Sequence, residues 1–336
     1  MTDADADATA DPDVLVSGET LVDFLPDSSG PLADVENFSR RAGGAPANVA
    51  VALARLEETP WFWTRVGADP FGDFLADTLA SYELPDRFVE RDPEASTALA
   101  FVSHDEAADR AFTFYRDGTA DTRLEPGRVS DADLDAVDWV YVGGVMLAAD
   151  PGRTATLDLA ERASARDCTV VFDPNARPEL WDGADYAGLV AEMLPFADVV
   201  KATPEDLEAA GFDGESPESL ARSVCDLDGR SGESARAGPH TLLLTLGDAG
   251  SFASSTDDAP WGAGAVSHSG YEVDPVDTTG AGDAFTAGAL AALAGGEASL
   301  SEVLGFANAV AALTTTAAGA MTALPTREEV RAFRES

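Results

Sequence analysis

The chain has 336 residues, 45% of them hydrophobic, which is enough to bury a large core. Its 61 acidic and 21 basic residues leave a formal net charge of −40, which speaks against nucleic acid or an anionic membrane surface as partner. Two cysteines, Cys168 and Cys225, are too few for a disulfide framework, and His104, His240 and His268 lie too far apart for zinc-ligand spacing.

The acids are scattered through a patterned, apolar-rich sequence, so a folded protein with a strongly hydrated surface is expected, suited to a high-salt, halophilic cytoplasm that screens self-repulsion. The basic charge is arginine except for Lys201. Residues 1–13 form an acidic, alanine-rich tail, expected to be disordered and lacking the basic and apolar regions of a signal peptide. No apolar run approaches a membrane span, and a cytoplasmic protein is expected.

In chain order, Val14-Leu15-Val16-Ser17-Gly18 reads as a short buried strand ending in glycine, Ala47–Leu56 as a helix and Trp61–Val66 as a strand. Further strand-then-helix units follow. Trp139–Val142 precedes a helix at Ala155–Arg166, Thr169–Phe172 precedes Asp173-Pro174-Asn175, Val199-Val200 precedes a helix from about Pro204, and Thr241–Leu246 leads into Gly247-Asp248-Ala249-Gly250. Such alternation predicts a parallel sheet covered by helices on both faces, with ligands at the carboxyl ends of its strands. Two stretches, 19–41 and 97–116, read instead as strands without helices. Ala98–Ser103 and Ala111–Tyr115 look like the arms of a hairpin around the polar turn His104–Arg110, and a small separate sheet lying as a lid over the strand ends is predicted. Asp226–Pro239, rich in Gly, Ser, Asp and Arg, reads as a surface loop.

The most informative run is Asp277-Thr278-Thr279-Gly280-Ala281-Gly282-Asp283-Ala284-Phe285. A Gly-Ala-Gly turn opening the small-residue helix Ala284–Ala294 offers the N–H groups of Gly280, Ala281 and Gly282 to an anion at the positive end of the helix. A carboxylate beside a phosphate makes sense if it accepts the proton of a hydroxyl attacking that phosphate, so Asp283 is the candidate base. The plainer alternative is a glycine turn with an aspartate stabilising the helix start.

That run resembles the C-terminal signature of the PfkB (ribokinase-like) carbohydrate kinases, and Gly43-Gly44-Ala45-Pro46-Ala47-Asn48 with Gly67-Ala68-Asp69-Pro70-Phe71-Gly72 resembles their N-terminal one. Phe114-Tyr115-Arg116, Asp173-Pro174-Asn175-Ala176-Arg177 with Leu180-Trp181, and the ending Ala323-Leu324-Pro325-Thr326 look most like fructokinases. The resemblance is collinear from Val14 to about Thr326. It implies a single kinase domain over 14–326, a three-layer α/β/α fold with a mostly parallel sheet and a small β-sheet lid, and transfer of the γ-phosphate of ATP to a primary sugar hydroxyl, with fructose giving fructose 6-phosphate.

Asp23 interrupts the apolar run Thr20–Leu25, where a carboxylate can take two sugar hydroxyls, and the family places a sugar-binding aspartate there. Gly43 and Gly44 would let the backbone approach the ligand, and Asn48 would offer its amide to a hydroxyl or begin a helix. Arg116, Asn175 and Arg177 are candidates for sugar oxygens or a substrate carboxylate, with structural salt bridges as the alternative for the arginines. For ATP, Thr245, Gly247 and Gly250 resemble the family's nucleotide loop, and Asn308 lies in a helix, Phe306–Leu313, that lines the family's adenine pocket. The family's Asn-x-x-Glu element, which arranges Mg²⁺ through water, is replaced here by Thr203 and Asp206 with Glu205 between them. Asp277 and the carbonyl region of Thr279 resemble a monovalent-cation loop, which implies K⁺. The nearest alternative is 2-keto-3-deoxygluconate kinase or another sugar kinase of this family; a catalytically inactive regulator is more remote. Lid sheets in this family often pair, so a homodimer is a further expectation.

Overall fold

The computed structural model of the chain describes residues 12–28, 30–104, 110–181, 185–225 and 238–336. Most of the expected tail, the tip of the hairpin turn (105–109) and 226–237 of the polar loop lie outside the described residues.

The strands, in chain order, are β1 Val14–Ser17, β2 Leu21–Pro26, β3 Phe38–Gly43, β4 Trp61–Gly67, β5 Val89–Asp92, β6 Leu99–His104, β7 Arg110–Tyr115, β8 Trp139–Gly143, β9 Thr169–Asp173, β10 Val199–Ala202, β11 Thr241–Thr245, β12 Ser251–Ser255 and β13 Gly264–His268. Nine of them make one sheet in the order β13-β12-β11-β10-β9-β8-β1-β4-β5. From β11 to β5 neighbouring strands pair in parallel, and β12 pairs antiparallel with both β11 and β13.

Successive side chains of a strand point to opposite faces, and the apolar runs of this sheet are sorted accordingly. Leu15, Val140, Val142, Val170, Phe172, Leu242 and Leu244 enter one core with Ala155, Leu159, Val190 and Leu220 from the helices Gly152–Ser164, Tyr186–Met193 and Pro217–Cys225. Val14, Val16, Tyr141, Val171 and Leu243 enter the other, with Leu53, Phe285, Leu290 and Ala307 from Ala45–Arg55, Ala281–Ala294 and Leu300–Thr315. These two cores make the three layers expected from the strand–helix alternation. Small residues let the last two helices close on each other: a Cβ on Gly288 would stand 2.9 Å from Ala307 Cα.

The second sheet has the order β3-β2-β6-β7 and is built from the two stretches that carry no α-helix. Leu21, Ala98 and Ala100 form a small core on one side of it with Phe114. Phe24 stacks on Phe101 at 4.9 Å, and Phe101 meets Phe38 and Tyr115 edge-on at 5.4 and 5.5 Å.

Boundaries differ from expectation in physical ways. The first helix starts at Ala45 because Pro46 has its backbone already set for a first turn. The edge strand β5 (Val-Glu-Arg-Asp) and the interior strand β12 (Ser-Phe-Ala-Ser-Ser) carry too little apolar character to stand out as strands.

Candidate active site

The carboxyl ends of the parallel strands and the lid enclose two adjoining cavities. The one toward the lid spans about 640 Å³, open mouth included, and is lined by Glu19, Asp23, Asn48, Phe112, Phe114 and Arg116 among others. The other spans about 1640 Å³ and is lined by Lys201, Glu205, Thr245, Gly247, Gly250 and Asn308 among others. Asn175, Arg177, Gly280 and Asp283 line both.

Asp283 therefore stands where the cavities meet, in the first turn of the helix Ala281–Ala294. Asn48 Nδ2 donates to its Oδ2 at 2.7 Å, while Asn48 Oδ1 is buried with no hydrogen-bond partner among the described residues. Burial pushes the Asp283 carboxyl up to about 6, against the Asn48 hydrogen bond and the Lys201 charge, which favour ionisation. Asp23, on β2, is pushed up to about 7 by burial and by the Asp283 charge.

Gly280 caps the helix with φ of +79°, and a Cβ there would stand 2.8 Å from Ala320 Cβ, so both conformation and packing demand glycine. The Ala281 N–H donates to the Thr278 carbonyl at 3.3 Å. Of the three N–H groups expected to face an anion, this one therefore has a protein partner of its own. A Cβ on Gly282 would lie 3.4 Å from Lys201 Nζ, which puts the ammonium against the turn.

Lys201, at the end of β10, is the most informative residue that the motif reading left out. It pairs with Asp173 at 3.0 Å, and although burial works against its charge, Asp173, Asp206 and Asp283 hold its pKa above the ordinary lysine value. Its signal was available: it is the lone lysine of a chain of net charge −40. Glu19 and Asp121 were also missed. Glu19 follows the strand-ending Gly18 and is 3% exposed; Asp121 is 1% exposed, and nothing in its local sequence announces it.

Other expected site residues have protein partners. Arg116 is buried and ion-paired with Asp121 at 2.5 Å, so the structural salt bridge describes it. A Cβ on Gly43 would collide with Asp23 Oδ2 at 2.0 Å and one on Gly44 with the Glu19 carbonyl at 2.5 Å, so both glycines make room for the protein's own groups, and Gly44 also lines the lid-side cavity. Asp206 closes a capping box with Thr203 and accepts from the Ala176 N–H at 2.8 Å, which commits both of its oxygens and leaves Glu205 as the neighbouring carboxylate on the cleft. Asn308 spends its amide on Ser251 Oγ and the Leu304 carbonyl while still lining the larger cavity. Asp277 accepts from the N–H and hydroxyl of Thr279 and from the Gly319 N–H. Asn175 adopts φ of +42° just past β9, and Arg177 has no ion-pair partner among the described residues, its Nη1 donating to the Ala176 carbonyl. Thr245 ends β11, and Gly247 and Gly250 turn the chain into β12.

Comparison with known proteins agrees with this architecture. A model of the "pfkB family carbohydrate kinase" matches residues 11–327. A fructokinase of Klebsiella pneumoniae is 37% identical, over 95% of this chain and 98% of its own. The crystal structure of a Xylella fastidiosa fructokinase with bound ATP superposes with a TM-score of 0.80 at 31% identity, covering 96% of this chain and 98% of that one. A double mutant of the Vibrio cholerae O395 fructokinase, in fructose-, ADP- and potassium-bound form, also gives 0.80 at 31% identity, covering 97% and 99%.

Proposed function

The chain belongs to the pfkB family of carbohydrate kinases, and from that premise we propose that it phosphorylates the primary hydroxyl of a neutral sugar, fructose above all, at the junction of the two cavities. The observation that carries this reading is the position of Asp283, between a sugar-sized cavity rich in hydroxyl partners and a larger one that ends on a glycine turn and a lysine.

In this reading the lid-side cavity holds the sugar. Asp23, Asn48 and Asn175 receive its hydroxyls, with Asn48 Oδ1 as a buried acceptor. Asp283 accepts the proton of the attacking hydroxyl, and a carboxyl pushed up to about 6 is still mostly ionised at neutral pH while being a better base than a solvated aspartate. The larger cavity holds ATP along Thr245, Gly247 and Gly250, with Asn308 beside the base. The N–H groups of Gly280 and Gly282 and the Lys201 ammonium face the phosphates, and Arg177, lining both cavities, spans the gap between sugar and γ-phosphate. Positioning and charge stabilisation of this kind supply most of what phosphoryl transfer needs.

Mg²⁺ suits the cleft. No cluster of three His, Cys, Asp or Glu exists among the described residues, and a cation held mainly by phosphates and water needs none. Glu205 would reach it through water, Asp206 serving as the cap that fixes the loop, and the ion would neutralise charge on the phosphate oxygens. A K⁺ ion would take carbonyl oxygens of the loop at Asp277–Thr279, whose carboxylate is committed to the fold. Residues 14–326 act as one domain in this reading. The aromatic side of the lid, where Tyr115 is 62% exposed, is the surface by which two copies would pair, and the protein would work in the cytoplasm.

One observation favours a sugar acid such as 2-keto-3-deoxygluconate instead: Arg177 borders the sugar cavity with no ion-pair partner among the described residues. A coupled ADP-release assay with a sugar panel, run in high KCl with Mg²⁺, decides. Fructose is expected to give the highest kcat/KM, and a higher value for the keto-acid would overturn the reading.

A further inference from the structure

The charge seen by a substrate in the lid-side cavity turns on Arg116. A guanidinium lining such a cavity ordinarily makes a carboxylate receptor, because its fork matches two carboxylate oxygens. Here the fork is turned into the protein: Nε donates to Asp121 Oδ2 at 2.5 Å, Nη1 to the Val145 carbonyl at 3.4 Å and Nη2 to Met146 Sδ at 3.4 Å. Asp121 is itself fixed, its Oδ1 accepting from the Thr119 hydroxyl at 2.6 Å. Glu19 brings a second carboxylate close to the same guanidinium. Its Oε1 accepts from the Ala45 N–H at 3.3 Å, and its Oε2 is buried with no hydrogen-bond partner among the described residues. Arg116 and Glu19 both line the cavity.

We propose that Asp121 is a positioning residue for substrate charge: by pairing with Arg116 it withholds the guanidinium from substrate and restricts the cavity to neutral sugars, while the unpartnered Oε2 of Glu19 seats a sugar hydroxyl. A carboxylate-bearing sugar would meet a neutralised Arg116 together with Glu19, Asp23 and Asp283, against which Arg177 sets a single opposing charge, and like charges brought together in such a site are disfavoured. Burial pushes the Glu19 carboxyl up to about 7, so near neutral pH it can donate to a hydroxyl as well as accept from one. The proposal rests on the kinase reading of the cavity and goes beyond it by naming the residue that sets substrate class.

The test compares kcat/KM for fructose and 2-keto-3-deoxygluconate in the wild type, Asp121→Asn and Asp121→Glu, with ATP KM and thermal melts as checks on the rest of the enzyme. Asp121→Asn keeps volume and a hydrogen-bonding oxygen but releases the Arg116 charge. The keto-acid to fructose ratio should rise by about 10–10³-fold with ATP KM unchanged, the range expected when one partner of a buried charge pair is removed. Asp121→Glu should restore the wild-type ratio. A folded Asp121→Asn enzyme that loses activity equally on both sugars, or keeps the wild-type ratio, overturns the proposal. Calorimetry on the wild type stands independently of how the variants fold: the keto-acid should bind at least roughly tenfold more weakly than fructose, and equal binding overturns the proposal. A wild type inert on both sugars would count against the kinase reading, and the binding ratio would still judge Asp121.

Discussion

Replacing Asp283 by Asn tests the centre of the mechanism with little steric change. Asn48 Nδ2 can still donate to the new amide oxygen, so the contact that ties the first helix to the glycine turn survives. What disappears is the base. Loss of a positioned general base costs about 10²–10⁴-fold in rate, or ~3–5 kcal/mol of barrier at ~1.36 kcal/mol per decade. The pH profile adds a sharper check. Asp283 and Asp23 share the cavity: burial pushes Asp283 up to about 6, and burial with the Asp283 charge pushes Asp23 up to about 7. The base form exists above these values, so wild-type kcat/KM should climb as pH rises through 6–7 and fall away as pH drops below. In Asp283→Asn the part of that limb that belongs to Asp283 should vanish, and the part that belongs to Asp23, relieved of its charged neighbour, should move to lower pH. Steady-state kinetics at saturating ATP, with ATP affinity measured by calorimetry, supply both readouts. A variant within tenfold of the wild type in kcat, or one altered only in sugar KM, would show that Asp283 positions the sugar rather than taking its proton.

Two further outcomes concern the scaffold. Asp69→Ala should destabilise the fold by ~2–4 kcal/mol in urea titrations, because Asp69 caps the helix Pro70–Ser81 through the Phe71 and Gly72 N–H groups and also accepts from the N–H and hydroxyl of Thr97. Burial alone would raise its pKa, but those hydrogen bonds hold it below the ordinary value, so the contribution is full at neutral pH and is lost as pH falls through the acid range; an unchanged urea midpoint would refute the role. Because the chain carries −40, its melting temperature should rise from low to molar KCl by roughly 2–4 °C for each kcal/mol of repulsion screened, and a flat response would show that the charge is tolerated without salt.

What could be read from sequence was what leaves a local trace. Parallel strands buried on both faces are continuous apolar runs, so β1, β8, β9 and β11 declared themselves, and the pairs β2 with β3 and β6 with β7 stood out because no α-helix lies between the members of either pair. The Gly-Ala-Gly-Asp turn was equally visible, since Gly280 needs positive φ and no neighbouring Cβ at once. Strands β5 and β12 are built mostly of charged residues and serines respectively, so their sequences look like loops.

The charges of the site were harder, because a residue's chemistry there depends on which partner the fold brings to it. Arg116 looks like a substrate cation until Asp121 is folded back onto it, and Asp206 looks like a metal carboxylate until Ala176 and Thr203 take its oxygens. Lys201 looks like one more basic residue until the end of β10 brings it beside Gly282. In each case the side chain alone specifies a capacity, and the fold decides whether that capacity is consumed internally or left facing the cavity. Three carboxylates, Glu19, Asp23 and Asp283, survive that accounting in the lid-side cavity, each with its pKa raised first by burial and then by a neighbouring carboxylate. Such a lining offers a sugar several hydroxyl acceptors, with Arg116 neutralised by Asp121 and Arg177 left without an ion-pair partner among the described residues, a balance of charge that weighs toward a neutral sugar.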